Sequence, residues 1–69
     1  MYIQVNNETL HHLAPGITIK MVATTAGNAA IALGSNLRVV EGESAAVQAC
    51  FDEICEAIKN KKEYHVITW

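Results

Sequence analysis

The hydrophobic positions change their period along the chain, and this divides it into strands, one helix and a final strand. Up to residue 40, large and β-branched residues stand in short runs, a pattern typical of strands. We therefore predict strands over residues 2–5, 8–14, 17–24, 29–33 and 37–40. The most regular alternation, apolar against polar, spans Ile17 to Thr24 and indicates a strand with one buried face.

Residues that favour tight turns separate these runs, namely Asn6-Asn7, Pro15-Gly16, Ala26-Gly27-Asn28 and Gly34-Ser35-Asn36. The glycine-containing stretch from Ala23 to Asn36 lacks the P-loop pattern, because no lysine follows Gly27 or Gly34. It therefore predicts turn, strand and turn. The alanines of this strand are weak β-formers, and they indicate that the helix or another subunit packs close against it.

From Ser44 the period becomes helical. The positions Val47, Phe51, Ile54 and Ile58 lie on one face of a helix that we expect to run from Ser44 to Asn60. Ser44 or Glu43 can cap its first turn.

Alternation returns from Tyr64 to Trp69 and predicts a closing strand. The predicted fold class is α+β: a small antiparallel sheet of four to five strands, one long helix near the C-terminus across one sheet face, and the closing strand. Residues 1–69 are expected to form a single domain.

The short chain predicts self-association. A domain of about 60 residues buries only roughly 60% of its unfolded surface, and 51% of these 69 residues are hydrophobic. A second copy is the simplest cover for the remaining apolar surface. The net charge of −2 gives no electrostatic reason to expect nucleic acid. Without a signal peptide or an apolar span, the expected location is the cytoplasm, with no membrane partner.

The carboxylates and thiols suggest no chemistry. Acids at Asp52, Glu53 and Glu56 precede lysines on the helix, which suits its dipole and predicts a hydrated face, with a binding surface as the alternative. Cys50 and Cys55 cannot pair on a helix, and we expect both to be small apolar core residues.

The histidines suggest an interface rather than a metal site. His11 and His12 are neighbours on a predicted strand and point to opposite faces, so they cannot readily hold one ion. No serine or threonine has an evident partner base. We therefore expect no catalytic residue, no metal and no cofactor, and we assign His11, Tyr64 and Trp69 to a subunit interface.

Polar groups near the second glycine turn predict a site for a small anion. Arg38 is the sole arginine, and an arginine beside a glycine turn can clamp a phosphate or a carboxylate. The predicted contacts are Arg38, Ser35, Asn36 and Gly34, with Lys20 assisting. Because the other polar turn lies at the opposite end of the sheet, two subunits are needed to gather all such groups.

From Leu33 onward the chain resembles a loose class of short proteins common in phages and mobile elements. The resemblance rests on Leu33-Gly34, Ala45, Phe51, Glu53-Ile54, Ala57-Ile58-Lys59-Asn60, Tyr64 and Val66. It covers about half the chain, and this sequence differs in placing residues 37–40 before the helix. The resemblance implies an antiparallel sheet with an amphipathic helix. It also implies, for some members, action against host defence by sequestering a signalling nucleotide or blocking a defence protein.

Two functions are therefore expected. The first is a non-enzymatic homo-oligomer of phage or mobile-element origin that sequesters a small anionic ligand, such as a signalling nucleotide, to counter host defence. The alternative is a protein-interaction module that inhibits a defence protein through the acidic helix face or the edge strand from Tyr64 to Trp69. Direct DNA binding ranks third, because the basic residues are few and scattered.

Overall fold

The computed structural model describes residues 1–69 as six strands and one helix. In chain order they are β1 (Tyr2–Val5), β2 (Thr9–His12), β3 (Ile19–Ala23), β4 (Asn28–Leu33), β5 (Leu37–Glu43), α1 (Ser44–Lys59) and β6 (Tyr64–Ile67). The α+β class, the single long helix and the closing strand are confirmed. The prediction of one sheet with four to five strands is wrong. The strands form two sheets of three, sheet A in the order β2-β1-β6 and sheet B in the order β3-β4-β5.

Sheet A is mixed, because β6 pairs with β1 in parallel while β2 pairs with β1 antiparallel. The Tyr2 N–H donates to the Glu63 carbonyl at 2.8 Å and the Asn6 N–H to the Ile67 carbonyl at 2.9 Å. The hairpin from β1 to β2 turns through Asn6 and Asn7, whose φ angles are 54° and 59°. The expected antiparallel order failed here because alternation reports which residues are buried and not which strand lies alongside.

Sheet B is an antiparallel meander with one irregularity. The segment predicted at residues 37–40 is a strand and extends to Glu43, while β3 begins at Ile19, two residues later than expected. The register between β4 and β5 shifts at Ile31 and Ala32, where β5 carries an extra residue. This β-bulge changes which face the first residues of β5 point to.

One core joins both sheets and the helix. Its buried side chains are Ile3, Val5, Leu13, Ala29, Ile31, Leu33, Val40, Val47, Cys50, Ile54 and Ile67. The predicted helix face is half right, since Val47 and Ile54 are buried but Phe51 is only half-buried and Ile58 is exposed. The face is completed by Cys50 and Ala57 instead. Neither the length nor the apolar character of α1 would let it cross a membrane.

The helix start is held by a tertiary hydrogen bond rather than by a capping side chain. Glu43 occupies the N-cap position, and neither it nor Ser44 makes the predicted side-chain cap. The Ser44 N–H instead donates to the Gly27 carbonyl at 2.9 Å. This bond satisfies one of the helix's free amides and fixes α1 to the turn between β3 and β4.

The two isoleucines at helix positions 54 and 58 provide a matched test of this packing. Ile54→Ala should lower the free energy of unfolding by about 3 kcal/mol, because it removes a fully buried side chain. Ile58→Ala, at a side chain 44% exposed, should cost less than about 1 kcal/mol. Urea denaturation of both variants measures the difference. Equal losses would show that α1 is rotated from the position described.

Candidate functional site

Two of the predicted ligand contacts share the outer face of sheet B. The register sets Lys20 opposite Ala32 and Ala32 opposite Arg38, so the three residues form one row across β3, β4 and β5. The neighbouring row, which includes Ile31, points into the core, so this row faces away from it. Lys20 and Arg38 are both exposed. Because strands lie about 4.8 Å apart, the backbones of the two cations are about 10 Å apart.

The β-bulge directs Arg38 to this face. Val40 pairs with Ile31 and Arg38 pairs with Ala32, which leaves Val39 as the extra residue. If Val39 were paired like its neighbours and there were no bulge, strict alternation from Val40 would turn Arg38 toward the core. The irregularity in β5 therefore brings Arg38 onto the surface that carries Lys20.

The floor between the two cations consists of alanine methyl groups. Ala30 and Ala32 are buried, yet neither belongs to the central core cluster. Longer side chains stand on both sides of them, and alanine is short enough to be shielded by these neighbours. We expected a helix or another subunit to pack on the alanines of β4. Within the chain only Ala29 is covered in this way, because it alone of the three lies in the core.

The two cations share this face with two acids, Glu41 and Glu43, of which Glu41 is the nearer to Arg38 along β5. Arg38 forms the only ion pair of the chain, with 3.8 Å between its Nη1 and the Glu41 Oε1, and both side chains are about half exposed. A pair this exposed contributes at most about 1 kcal/mol. Arg38 can therefore exchange Glu41 for a ligand anion, and Lys20 has no carboxylate partner at all.

The turn between β4 and β5 lies at the end of the same hairpin. Gly34 adopts a φ of 64° there, and its N–H donates to the Thr18 carbonyl at 2.8 Å. The Gly34 amide is therefore engaged within the fold and is not free for a ligand. Ser35 and Asn36 are exposed, and their side chains make no hydrogen bond within the chain.

The three residues predicted for a subunit interface lie on different surfaces. Tyr64 is exposed on the outer face of sheet A, whereas the half-buried His11 stands beside Ile3 on the inner face. Trp69 packs over β5, where its Nε1–H donates to the Glu41 carbonyl at 3.1 Å. A Cβ at position 42 would lie 3.1 Å from the indole ring, so the lack of a side chain at Gly42 leaves the space that the ring occupies.

The two cysteines differ, and the prediction that both are core residues is wrong for one of them. Cys50 is buried in the core, but Cys55 is exposed, because five residues along a helix turn a side chain well away from the core. Burial, helped by the negative charge of nearby Glu53, raises the pKa of the Cys50 thiol above its ordinary value.

The histidines and acids gather into no metal site, since no three His, Cys, Asp or Glu side chains lie close enough together to hold an ion. His11 and His12 point to opposite faces of sheet A, and the His12 ring stacks on Tyr2 with 4.8 Å between ring centres. The acids Asp52 and Glu56 are exposed and accept hydrogen bonds from Gln48 and Asn60 of the same helical surface.

The cation pair lies on an open surface and not in a cavity. One depression of about 270 Å³ lies between the helix and the C-terminal residues and includes Cys50 and Trp69. Another of about 310 Å³ lies beside the Pro15-Gly16 turn and includes Ile58. Neither contains Lys20 or Arg38, so one copy of the chain cannot enclose a ligand at the cation pair.

Several residues of these surfaces escaped sequence reasoning. Sequence reasoning missed that Glu41 pairs with Arg38. It also missed that Ala32 lies between the two cations. Both features depend on the β-bulge, which no residue pattern in the sequence predicts. The uncharged side chains Leu10, Gln4 and Val66 did carry a signal, because each occupies an outward position of its strand, where Leu10 and Val66 are exposed and Gln4 is half-buried.

The two thiols should react at very different rates. Cys55 is exposed and should be alkylated by iodoacetamide at pH 7 within minutes, whereas Cys50 should react at least about tenfold more slowly, because burial limits access and its raised pKa lowers the thiolate fraction. Mass spectrometry should find one label per native chain and two after denaturation. Cys55→Ser should abolish the fast label. Two equally fast labels would contradict the burial of Cys50.

No protein-family profile, curated protein or solved structure matches the chain. Its function is therefore inferred from the geometry of these surfaces.

Proposed function

We propose that this chain is a non-enzymatic, self-associating binding protein that holds a small anionic ligand, such as a signalling nucleotide, on the outer face of sheet B. The observation that carries the proposal is the row in which Lys20 and Arg38 flank Ala32. Two long cationic side chains about 10 Å apart at the backbone can converge on one phosphate group.

The chemistry of the two cations suits this role. Arginine offers a planar fork that bonds two phosphate oxygens at once, and lysine adds a compact point charge. The exposed hydroxyl of Ser35 and the amide of Asn36 add neutral donors at the end of the hairpin. Since the surface is open, a second copy would supply the rest of the enclosure.

Holding the ligand without converting it is the proposed activity. The cation pair has no nucleophile with an adjacent base around it, and the polar groups it does offer are donors that bind and orient an anion. In a phage or mobile-element setting, a protein of this kind would act in the cytoplasm of the host cell and withdraw a nucleotide signal from host defence.

A second candidate, a protein-interaction module, is favoured by one specific observation. Strand β6 pairs only with β1, so its other edge is open, and it carries no charged residue. An open edge can accept a strand from another protein. The exposed acids Asp52, Glu53 and Glu56 on α1 offer a further surface for a basic defence protein.

Arg38→Ala should weaken binding of inorganic pyrophosphate and of AMP at least about tenfold, because a charge-assisted hydrogen bond contributes about 1.5–3 kcal/mol. Lys20→Ala should weaken it less, since lysine contributes a single point charge. Glu41→Gln should strengthen it by freeing Arg38 from its ion pair. Isothermal titration calorimetry at low salt measures all three effects.

Lys59→Ala provides the matched control, because it removes an exposed lysine from α1, away from sheet B. It should bind as the unaltered protein does. If Arg38→Ala and Lys20→Ala bind normally while remaining folded by circular dichroism, the site is wrong. If the unaltered protein binds neither probe and native mass spectrometry of gently purified material finds no releasable mass, the anion-binding function itself fails.

A further inference from the structure

The outer face of sheet B has opposite charges at its two ends. Its side chains form three successive rows across the strands, namely Lys20, Ala32 and Arg38, then Val22, Ala30 and Glu41, then Asn28 and Glu43. Successive rows on one sheet face are two residues, about 7 Å, apart. The first row therefore places two cations at one end of the face, and the third row places a carboxylate at the other end, about 14 Å away at the backbone.

The third row offers hydrogen-bond acceptors. Glu43 is exposed, its side chain does not cap the helix, and it belongs to no ion pair. Asn28 lies opposite Glu43, and its Nδ2 donates to the Thr25 hydroxyl oxygen at 3.2 Å. This bond engages the nitrogen side of the amide and leaves the Asn28 Oδ1 without a partner. The cations of the first row, by contrast, are donors only.

The two ends together select a ligand with two different ends. A carboxylate repels a simple anion, so inorganic phosphate would use the cation row and leave the third row unused. A ligand that fits the whole face carries an anionic group at one end and neighbouring hydrogen-bond donors at the other.

Guanine has the base edge that matches a carboxylate. Its N1–H and its N2 amino group are adjacent donors, so one carboxylate can accept both hydrogen bonds side by side. Adenine and cytosine each place a ring-nitrogen acceptor beside their amino group, and uracil has a single N–H between two carbonyl oxygens. An acceptor on the protein therefore faces an acceptor on each of these three bases.

We propose that the anion site of sheet B takes a guanine nucleotide, with its phosphate between Lys20 and Arg38 and its base edge on Glu43. The ribose then spans the middle row, and the second N2 hydrogen is left for the Asn28 Oδ1. The long side chains at both ends can lean toward each other, which brings the charged groups within the length of one nucleoside monophosphate. The inference rests on the proposed function, because it names the ligand class of the same site.

Isothermal titration calorimetry with guanosine monophosphate (GMP), inosine monophosphate (IMP), AMP and pyrophosphate tests this assignment. The unaltered protein should bind GMP at least about fivefold more tightly than AMP, the discrimination that one bidentate base contact supplies. IMP lacks the N2 amino group and should bind more weakly than GMP. The comparison of these ligands needs no variant and is therefore independent of any effect on folding.

Glu43→Gln should remove the preference for GMP over AMP without weakening the binding of pyrophosphate, because it removes the carboxylate and leaves both cations in place. Glu56→Gln is the matched control, since it neutralises an exposed carboxylate on α1, away from sheet B, and it should keep the preference.

Equal affinities for GMP and AMP in a protein that binds pyrophosphate would overturn the guanine assignment and leave the anion site intact. The acids would then only balance the charge of the cations. A preference for GMP that survives in folded Glu43→Gln would likewise refute the contact. Failure of the unaltered protein to bind either pyrophosphate or GMP would refute the proposed function and this inference together.

Discussion

The parallel pairing of β1 with β6 is the constraint on which the rest of the structure depends. It joins the two ends of the chain, because residues 2–5 lie directly alongside residues 64–67. Without it, β1 and β2 would form an isolated two-stranded hairpin, which has marginal stability in water. The pairing also carries Ile3, Val5 and Ile67 into the core that they share with α1 and sheet B, and it leads the chain onward to Trp69, which packs over β5.

Closing the chain in this way creates two outer faces of opposite character. The outer face of sheet A carries tyrosine, leucine and valine and no formal charge, whereas that of sheet B carries Lys20, Arg38, Glu41 and Glu43 around an alanine floor. The first suits a neutral, apolar partner and the second an anion.

Much of the fold was predictable because hydrophobic period reports burial directly. The alternation around Ile19 and Met21 and the helical repeat through Val47 and Ile54 placed a strand and the helix correctly. Partner choice was not predictable, because a strand with one buried face fits beside any neighbour that buries the same face. On the helix, Ile58 was predicted to be buried, but Ala57 is buried in its place. The period could not distinguish the two, since an apolar stripe can rotate by one position around a helix without changing its period.

Of the candidate site, Arg38 and Lys20 could be selected from the sequence as scarce cations, but their position on one face could not. That position depends on the bulge opposite Ile31 and Ala32, where Val39 is the extra residue of β5. The engagement of the Gly34 amide by Thr18 depends likewise on the register between β3 and β4, which sets Ile19 opposite Leu33.

Amide hydrogen exchange followed residue by residue tests the β1–β6 pairing most directly. The bonds from Tyr2 to Glu63 and from Asn6 to Ile67 set the phase of the ladder, so the backbone groups of His65 and Ile67 turn toward β1, while those of Tyr64 and Val66 point to the open edge. The account predicts slow exchange at Asn6, His65 and Ile67 and fast exchange at Tyr64 and Val66. Uniformly fast exchange through residues 64–67, or the reverse alternation, would contradict it.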